Sequence, residues 1–206
     1  MDAEDMSTQQ SEPLSHKERL LRQGLKYFYD RGFHGTTVDA ILEASAVPKG
    51  SFYHHFGSKE EFARAVLDRY TDFQLALLDR WANEPDLSAT DRLGRYVDEL
   101  VELFVRSGYR RACLAGKLST EVAVGSDAFR GQIGASLLAW REHLAALLTQ
   151  GQEGGDVRTD RTAEELATAI LAVIQGTFVL CIATRDEEAL KAVRSTIHLL
   201  VAPPAD

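Results

Sequence analysis

The chain has 206 residues, 45% of them hydrophobic, which excludes a disordered chain and allows one sizeable domain or a small head on a larger body. The net charge of −8 argues against a wholly basic nucleic-acid binder, but the charge is uneven: residues 15–70 carry nine Lys/Arg against seven Asp/Glu, and the rest 14 against 24. No run approaches about 18 uninterrupted apolar residues, so no membrane span is expected. The opening "MDAEDMSTQQSEP" lacks the basic-then-apolar build of a signal peptide, and the two cysteines, Cys113 and Cys181, are too few for a disulfide framework. The expectation is a cytoplasmic chain. The absence of CxxC and HxxxH spacings leaves no metal site or other cofactor to expect.

In chain order, residues 1–14 read as an acidic tail without an apolar repeat. "SHKE" at Ser15 has the form of a capping box, and Leu21, Leu25 and Phe28 follow at helical spacing until Gly32. A short second helix starts at Thr36 or Thr37, with Val38, Ile41 and Leu42 inward. Pro48 suits the first position of a third, which Gly57 closes, and "SKEE" at Ser58 opens a fourth that runs to about Trp81. A fifth helix carries Leu93, Val97, Leu100, Val101 and Phe104, and a sixth covers roughly 113–122. A seventh spans 129–148 and ends in the loop "GQEGGD". "TAEE" at Thr162 caps the eighth, and the ninth spans 187–201. No stretch alternates with period two, so the fold class is all-α with nine helices.

Three helices within about 45 residues, the last two short and joined by a tight turn, have the geometry of a helix-turn-helix, whose final helix enters the major groove. Ile41, Val47, Phe52 and Phe56 would lock the pair. Lys49, Gly50, Ser51, Tyr53 and His54 would face outward, and His55 would rest against the fourth helix. Lys49 has the reach for a phosphate or a guanine edge, and Gly50 admits close backbone approach. Lys59, in a helical first turn that disfavours cations, would share a bound DNA phosphate with the backbone N–H groups.

"TTVDAILEASAVPKGSFYHHFGSKEEF" resembles the DNA-binding signature of the TetR family of transcriptional regulators: a Thr pair (Thr36, Thr37), an apolar turn, Tyr53-x-x-Phe56, then Ser58-Lys59-Glu60. The likeness extends back through Leu20, Leu21, Phe28, Gly32 and Phe33. Two positions depart from the pattern: Leu42 stands where Ala is usual, and Ala46 where Gly is usual. Ala46 is expected to strain a turn that wants φ > 0, at about 1 kcal/mol. The resemblance implies a helix-turn-helix domain over 15–61 that binds a double-stranded DNA operator, and a helical ligand-binding and dimerisation body over 62–206. It also implies a homodimer matched to a palindromic operator, a small-molecule effector, and a repressor as the usual mode.

The last two helices carry broad apolar stripes in which Ala169, Ala172, Gly176 and Ala183 permit close approach; Ala169, Val173, Gly176, Val193 and Ile197 are the candidate dimer contacts. Phe73, Leu77, Phe104, Leu118, Trp140 and Phe178 are candidate pocket residues, and the few charges in these stripes favour an apolar or electrophilic effector. "GYRRACLAGKLSTEVA" (108–123) resembles a Gly-Cys-Leu…Glu segment in a branch of the family with electrophile- and redox-responsive members, Ala112 replacing the Gly. Arg110, Arg111, Lys117 and a helix N-terminus near Cys113 would raise its thiolate fraction. Two rival classes remain: a non-DNA interaction module, and an enzyme using Glu121 with His143, or Asp98 with Glu102, as acid and base.

Overall fold

Nine helices and no strand occur among the described residues, 14–204, of the computed structural model. The helices are α1 (His16–Arg31), α2 (Val38–Ser45), α3 (Lys49–Phe56), α4 (Lys59–Ala82), α5 (Ala89–Arg106), α6 (Leu114–Glu121), α7 (Asp127–Gly154), α8 (Ala163–Thr184) and α9 (Glu187–Val201). All but Leu14 of the expected acidic tail lies outside the described residues.

Local chemistry fixes the helix starts. Every helix except α3 begins behind a side chain that accepts a hydrogen bond from its own first turn: Ser15, Thr37, Ser58, Ser88, Cys113, Ser126, Thr162 and Asp186. The reciprocal capping box closes at Thr162–Glu165. At Ser15 and Ser58 only half of the expected box forms, because Glu18 is drawn to Arg22 and Arg69, and Glu61 to Arg64. Pro48 stands one position outside α3, as its N-cap.

Helix α7 overruns its expected end. The glycines of "GQEGGD" read as a loop, yet the helix continues through Gly154 and closes on Gly155 in the left-handed region (φ 82°), where the N–H groups of Asp156 and Val157 meet the carbonyl of Gly151. Gly151 is buried for want of room: a Cβ there would lie 2.4 Å from Val157 Cγ2 and 2.8 Å from Ala89 Cβ. Close packing, not flexibility, explains this glycine.

Phe28, Phe52, Phe56 and Phe62 form an aromatic knot under α1–α3, with Phe62 of α4 at 4.9–5.9 Å from the other three rings. The long α4 continues into a body in which it packs on α5 and α7, α8 lies between α7 and α9, and α6 crosses α1, α4 and α7. By length and composition α8 is apolar enough to cross a membrane, with a mean hydropathy of 2.2, although its threonines and Gln175 interrupt any unbroken apolar run. In this fold it packs between α7 and α9, and a third of that window is buried.

Candidate nucleic-acid interface and the cavity behind it

The turn between α2 and α3 is built on Ala46, a non-glycine residue held left-handed (φ 50°, ψ 46°). Arg19 of α1 donates to the carbonyls of both Ser45 and Ala46, satisfying acceptors that the end of α2 leaves open. Ile41, Val47, Phe52 and Phe56 are buried beneath the turn. Lys49, Gly50, Tyr53 and His54 are then exposed along α3, Tyr53 at 46%. Nothing lies within 4 Å of where a Gly50 Cβ would stand, so this backbone is open to an external surface. Lys49 reaches Asp39 at 3.2 Å in a solvent-exposed pair that raises its pKa. Such pairs are weak and are readily exchanged for a phosphate. His16 Nδ1 and Ser51 Oγ, 3.1 Å apart, tie the start of α1 to the same face.

Behind this face, α6 grips the end of α1. Lys117 Nζ donates to the carbonyl of Tyr29 at 2.7 Å, the Tyr29 hydroxyl donates to the carbonyl of Ala112 at 2.9 Å, and Glu121 accepts the backbone N–H of His34 at 2.8 Å. The Glu121 carboxylate presses on Gly32, where a Cβ would sit 2.5 Å from it.

A cavity of roughly 320 Å³ opens between α1, α4, α5, α7 and α8, at the small end of organic-ligand sites. Its walls include Tyr29, Phe73, Gln74, Arg106, Arg111, Cys113, Trp140 and Phe178. Cys113 is the buried N-cap of α6, and its Sγ accepts the Gly116 N–H at 3.3 Å. Burial raises the pKa of the Tyr29 and Tyr70 phenols beside it, so both stay protonated.

Residues 20–66 match the family model for bacterial regulatory proteins of the tetR family, and residues 89–197 match that for the tetracyclin repressor-like C-terminal domain. The chain belongs to the TetR family. It is 35% identical to the transcriptional regulator AcuR of Cereibacter sphaeroides, over 76% of this chain and 71% of AcuR. It is 28% identical to the transcriptional repressor NemR of Escherichia coli, over 92% and 95% of the two chains. Crystal structures of a Rhodobacter sphaeroides TetR protein (TM-score 0.83, 30% identity, 89% and 97% covered) and of reduced NemR (TM-score 0.85, 28% identity, 93% and 99% covered) share the all-α fold. TetR regulators bind operator DNA, dimerise and take small-molecule effectors, and this chain is a helix-turn-helix DNA-binding transcriptional regulator.

Several expected site residues of this TetR protein sit elsewhere than the sequence reading put them. Thr36 is fully buried, its hydroxyl donating to the carbonyls of Gly32 and Tyr27, whereas Thr37 is exposed and caps α2. Lys59 lies over the Phe33 ring at 4.3 Å, with Glu121 nearby and its pKa lowered by burial, so part of its side chain is engaged within the subunit. His55 is exposed instead of resting on α4. Cys113, Phe73, Trp140 and Phe178 share the cavity wall. Leu77, Phe104 and Leu118 are core residues outside it, Phe104 stacking behind Phe178 at 4.8 Å. Of the cations expected at Cys113, Arg110 pairs with Asp30 and Lys117 with the Tyr29 carbonyl; Arg111 alone joins it in the wall.

Val193 and Ile197 are buried inside the subunit, where α9 packs on α5 and α8, and so cannot meet a partner. Ala169 and Val173 are half-buried and Gly176 is exposed. Exposed apolar side chains lie instead at Val179, Leu180 and Ile182 of α8 and Leu199 of α9. Sequence reasoning missed Tyr29, Tyr70, Gln74 and Arg106 as wall residues, and His16 on the reading face; none carries a local motif.

Proposed function

We propose that the protein is a cytoplasmic homodimeric repressor that leaves a palindromic operator when its cavity is occupied or Cys113 is modified. Residues 15–61 read the DNA and 62–206 form the sensing and dimerising body. Lys49, Gly50, Tyr53 and His54 meet the major groove, and Thr37 the flanking backbone. The exposed stripe of Gly176, Val179, Leu180 and Ala183 on α8, joined by Leu199 of α9, is the face for a second copy, which sets the two heads at a fixed separation.

The observation that carries this reading is the double role of Tyr29. Its ring lines the cavity, and its main chain and hydroxyl are both tied to the segment that starts and forms α6. Anything that enters the cavity or displaces the Cys113 cap of α6 therefore acts directly on the last turn of α1. The position of the heads then differs between the occupied and empty states, and that differential affinity lowers operator binding. The name of NemR as a repressor supports the direction of control. The solution of NemR in a reduced form supports attention to the thiol.

A catalytic reading has less support. Glu121 is spent on His34, Asp98 on Arg194 at 2.6 Å and His143 on Asp79 at 2.6 Å. The test is operator retention in a gel shift across a salt series, with and without N-ethylmaleimide. A DNA reader loses affinity steeply as salt rises, because phosphate contacts release counterions. Cys113→Ser should keep operator binding and lose release by the maleimide. A salt-independent interaction, or no operator affinity in a folded protein, overturns the reading.

A further inference from the structure

The charged part of the cavity wall is one-sided. Arg106 and Arg111 line it, and no Asp or Glu does. Arg110, between them in sequence, is paired with Asp30 at 3.6 Å, whereas neither Arg106 nor Arg111 has an acidic partner among the described residues. Both side chains are exposed where they line the cavity, so their charge is open to an incoming anion.

The segment that carries them is held in a costly shape. Gly108 and Tyr109 are both left-handed (φ 70° and 58°), and Arg185, the C-cap of α8, donates to both of their carbonyls at 3.1 and 2.9 Å. The N–H groups of Arg110 and Arg111 converge on Ser107 Oγ at 3.1 and 3.0 Å. A bulky residue at positive φ persists only where its surroundings enforce it. Here they bring Arg106, at the end of α5, and Arg111, five residues on, to one chamber.

Beyond Ser107 and the Tyr29 and Tyr70 phenols the remaining wall is mostly apolar, and the buried Gln74 offers an amide whose Oε1 has no partner among the described residues. Trp140 Nε1 also lacks a bond in good geometry but lies beside the buried Tyr96 hydroxyl.

We infer that the effector is a small organic monoacid whose carboxylate is held by Arg106 and Arg111 and whose apolar body lies against Tyr29, Trp140 and Phe178, with room for one polar group at Gln74. This deepens the effector-release reading and rests on it. The guanidinium fork matches a planar carboxylate, and a single negative charge suits a chamber that is otherwise aromatic.

Isothermal titration of the full chain with benzoate and benzamide, hexanoate and hexanamide, and phenyl phosphate tests it. Each acid should bind roughly tenfold more tightly than its amide, as a charge-assisted bond allows. Arg106→Gln combined with Arg111→Gln should bring the acids down to the level of the amides and leave the amides unchanged. The single variants should fall between, and the melting curve of each variant shows that it is folded. Equal binding of acid and amide, an acid preference that survives in the folded double variant, phenyl phosphate outcompeting benzoate, or no binding by any compound would each overturn the inference. If operator binding and its release by N-ethylmaleimide persist in those cases, the regulatory reading stands and only the effector class falls.

Discussion

Lys117 of α6 holds the main-chain oxygen of Tyr29 at 2.7 Å, so a body helix grips the last full turn of the first head helix by its backbone. The Lys117 bond does not depend on the identity of the Tyr29 side chain, whose ring lines the cavity while its hydroxyl is held by the Ala112 carbonyl. Lys117→Met should therefore preserve operator binding while weakening its response to an effector. Loss of one such bond removes about 1 kcal/mol of coupling, roughly a fivefold smaller shift in operator Kd. Fluorescence anisotropy with labelled operator, with and without N-ethylmaleimide, measures it; an unchanged shift would leave Lys117 a merely structural contact.

Gly50 and Gly151 should respond to alanine in opposite ways. Gly151→Ala forces a methyl into Val157 and Ala89 and should cost about 1–3 kcal/mol in denaturant unfolding. Gly50→Ala meets open space and gains helix propensity, so stability should hold or rise by up to about 1 kcal/mol. Operator affinity should nevertheless fall in Gly50→Ala, because the added methyl stands on the reading face.

The two threonines at the start of α2 separate stability from recognition. Thr36→Val deletes a buried hydroxyl that serves two carbonyls and should destabilise the fold by about 1–3 kcal/mol with little change in operator affinity per folded molecule. Lys49→Ala should do the reverse: near-normal melting, weaker binding and a shallower dependence of log K on log salt, by about one per half-site.

Ala46→Gly should stabilise the protein. Relief of the left-handed penalty, about 1–2 kcal/mol, outweighs the extra entropy of glycine, about 0.5–1 kcal/mol. A gain of roughly 2 °C in Tm is expected by calorimetry.

Val179→Glu with Leu199→Glu should yield monomers by light scattering, since two charges would enter the face proposed for the second copy. Val193→Ala should instead lower stability by about 1–3 kcal/mol and leave the assembly state unchanged, because Val193 is buried within the subunit.

The sequence was most informative where local chemistry decides. Caps, turn glycines and apolar spacing set the helix starts, and the aromatic positions of α3 separated inside from outside. It was least informative where two similar residues have different surroundings. Thr36 and Thr37 are chemically alike, and only the path of the chain after Gly32 sends one inward. Phe104 and Phe178 stack on each other, yet only Phe178 reaches the cavity, a distinction that helical spacing does not contain. On α9 the visible stripe is the one the subunit buries for itself, which is why Val193 and Ile197 masqueraded as contacts while Leu199 escaped notice. Arg106 went unremarked because the strained bend at Tyr109 that brings Arg111 to the same chamber leaves no local signature.

Because the ring of Tyr29 is part of the chamber wall, the reader and the sensor of this regulator are not interchangeable cartridges. A hybrid made by grafting another regulator's first three helices onto this body would rebuild one side of the chamber along with the recognition surface. Its ligand preference would shift together with its operator, unless the graft retained Tyr29 and its ties to Ala112 and Lys117.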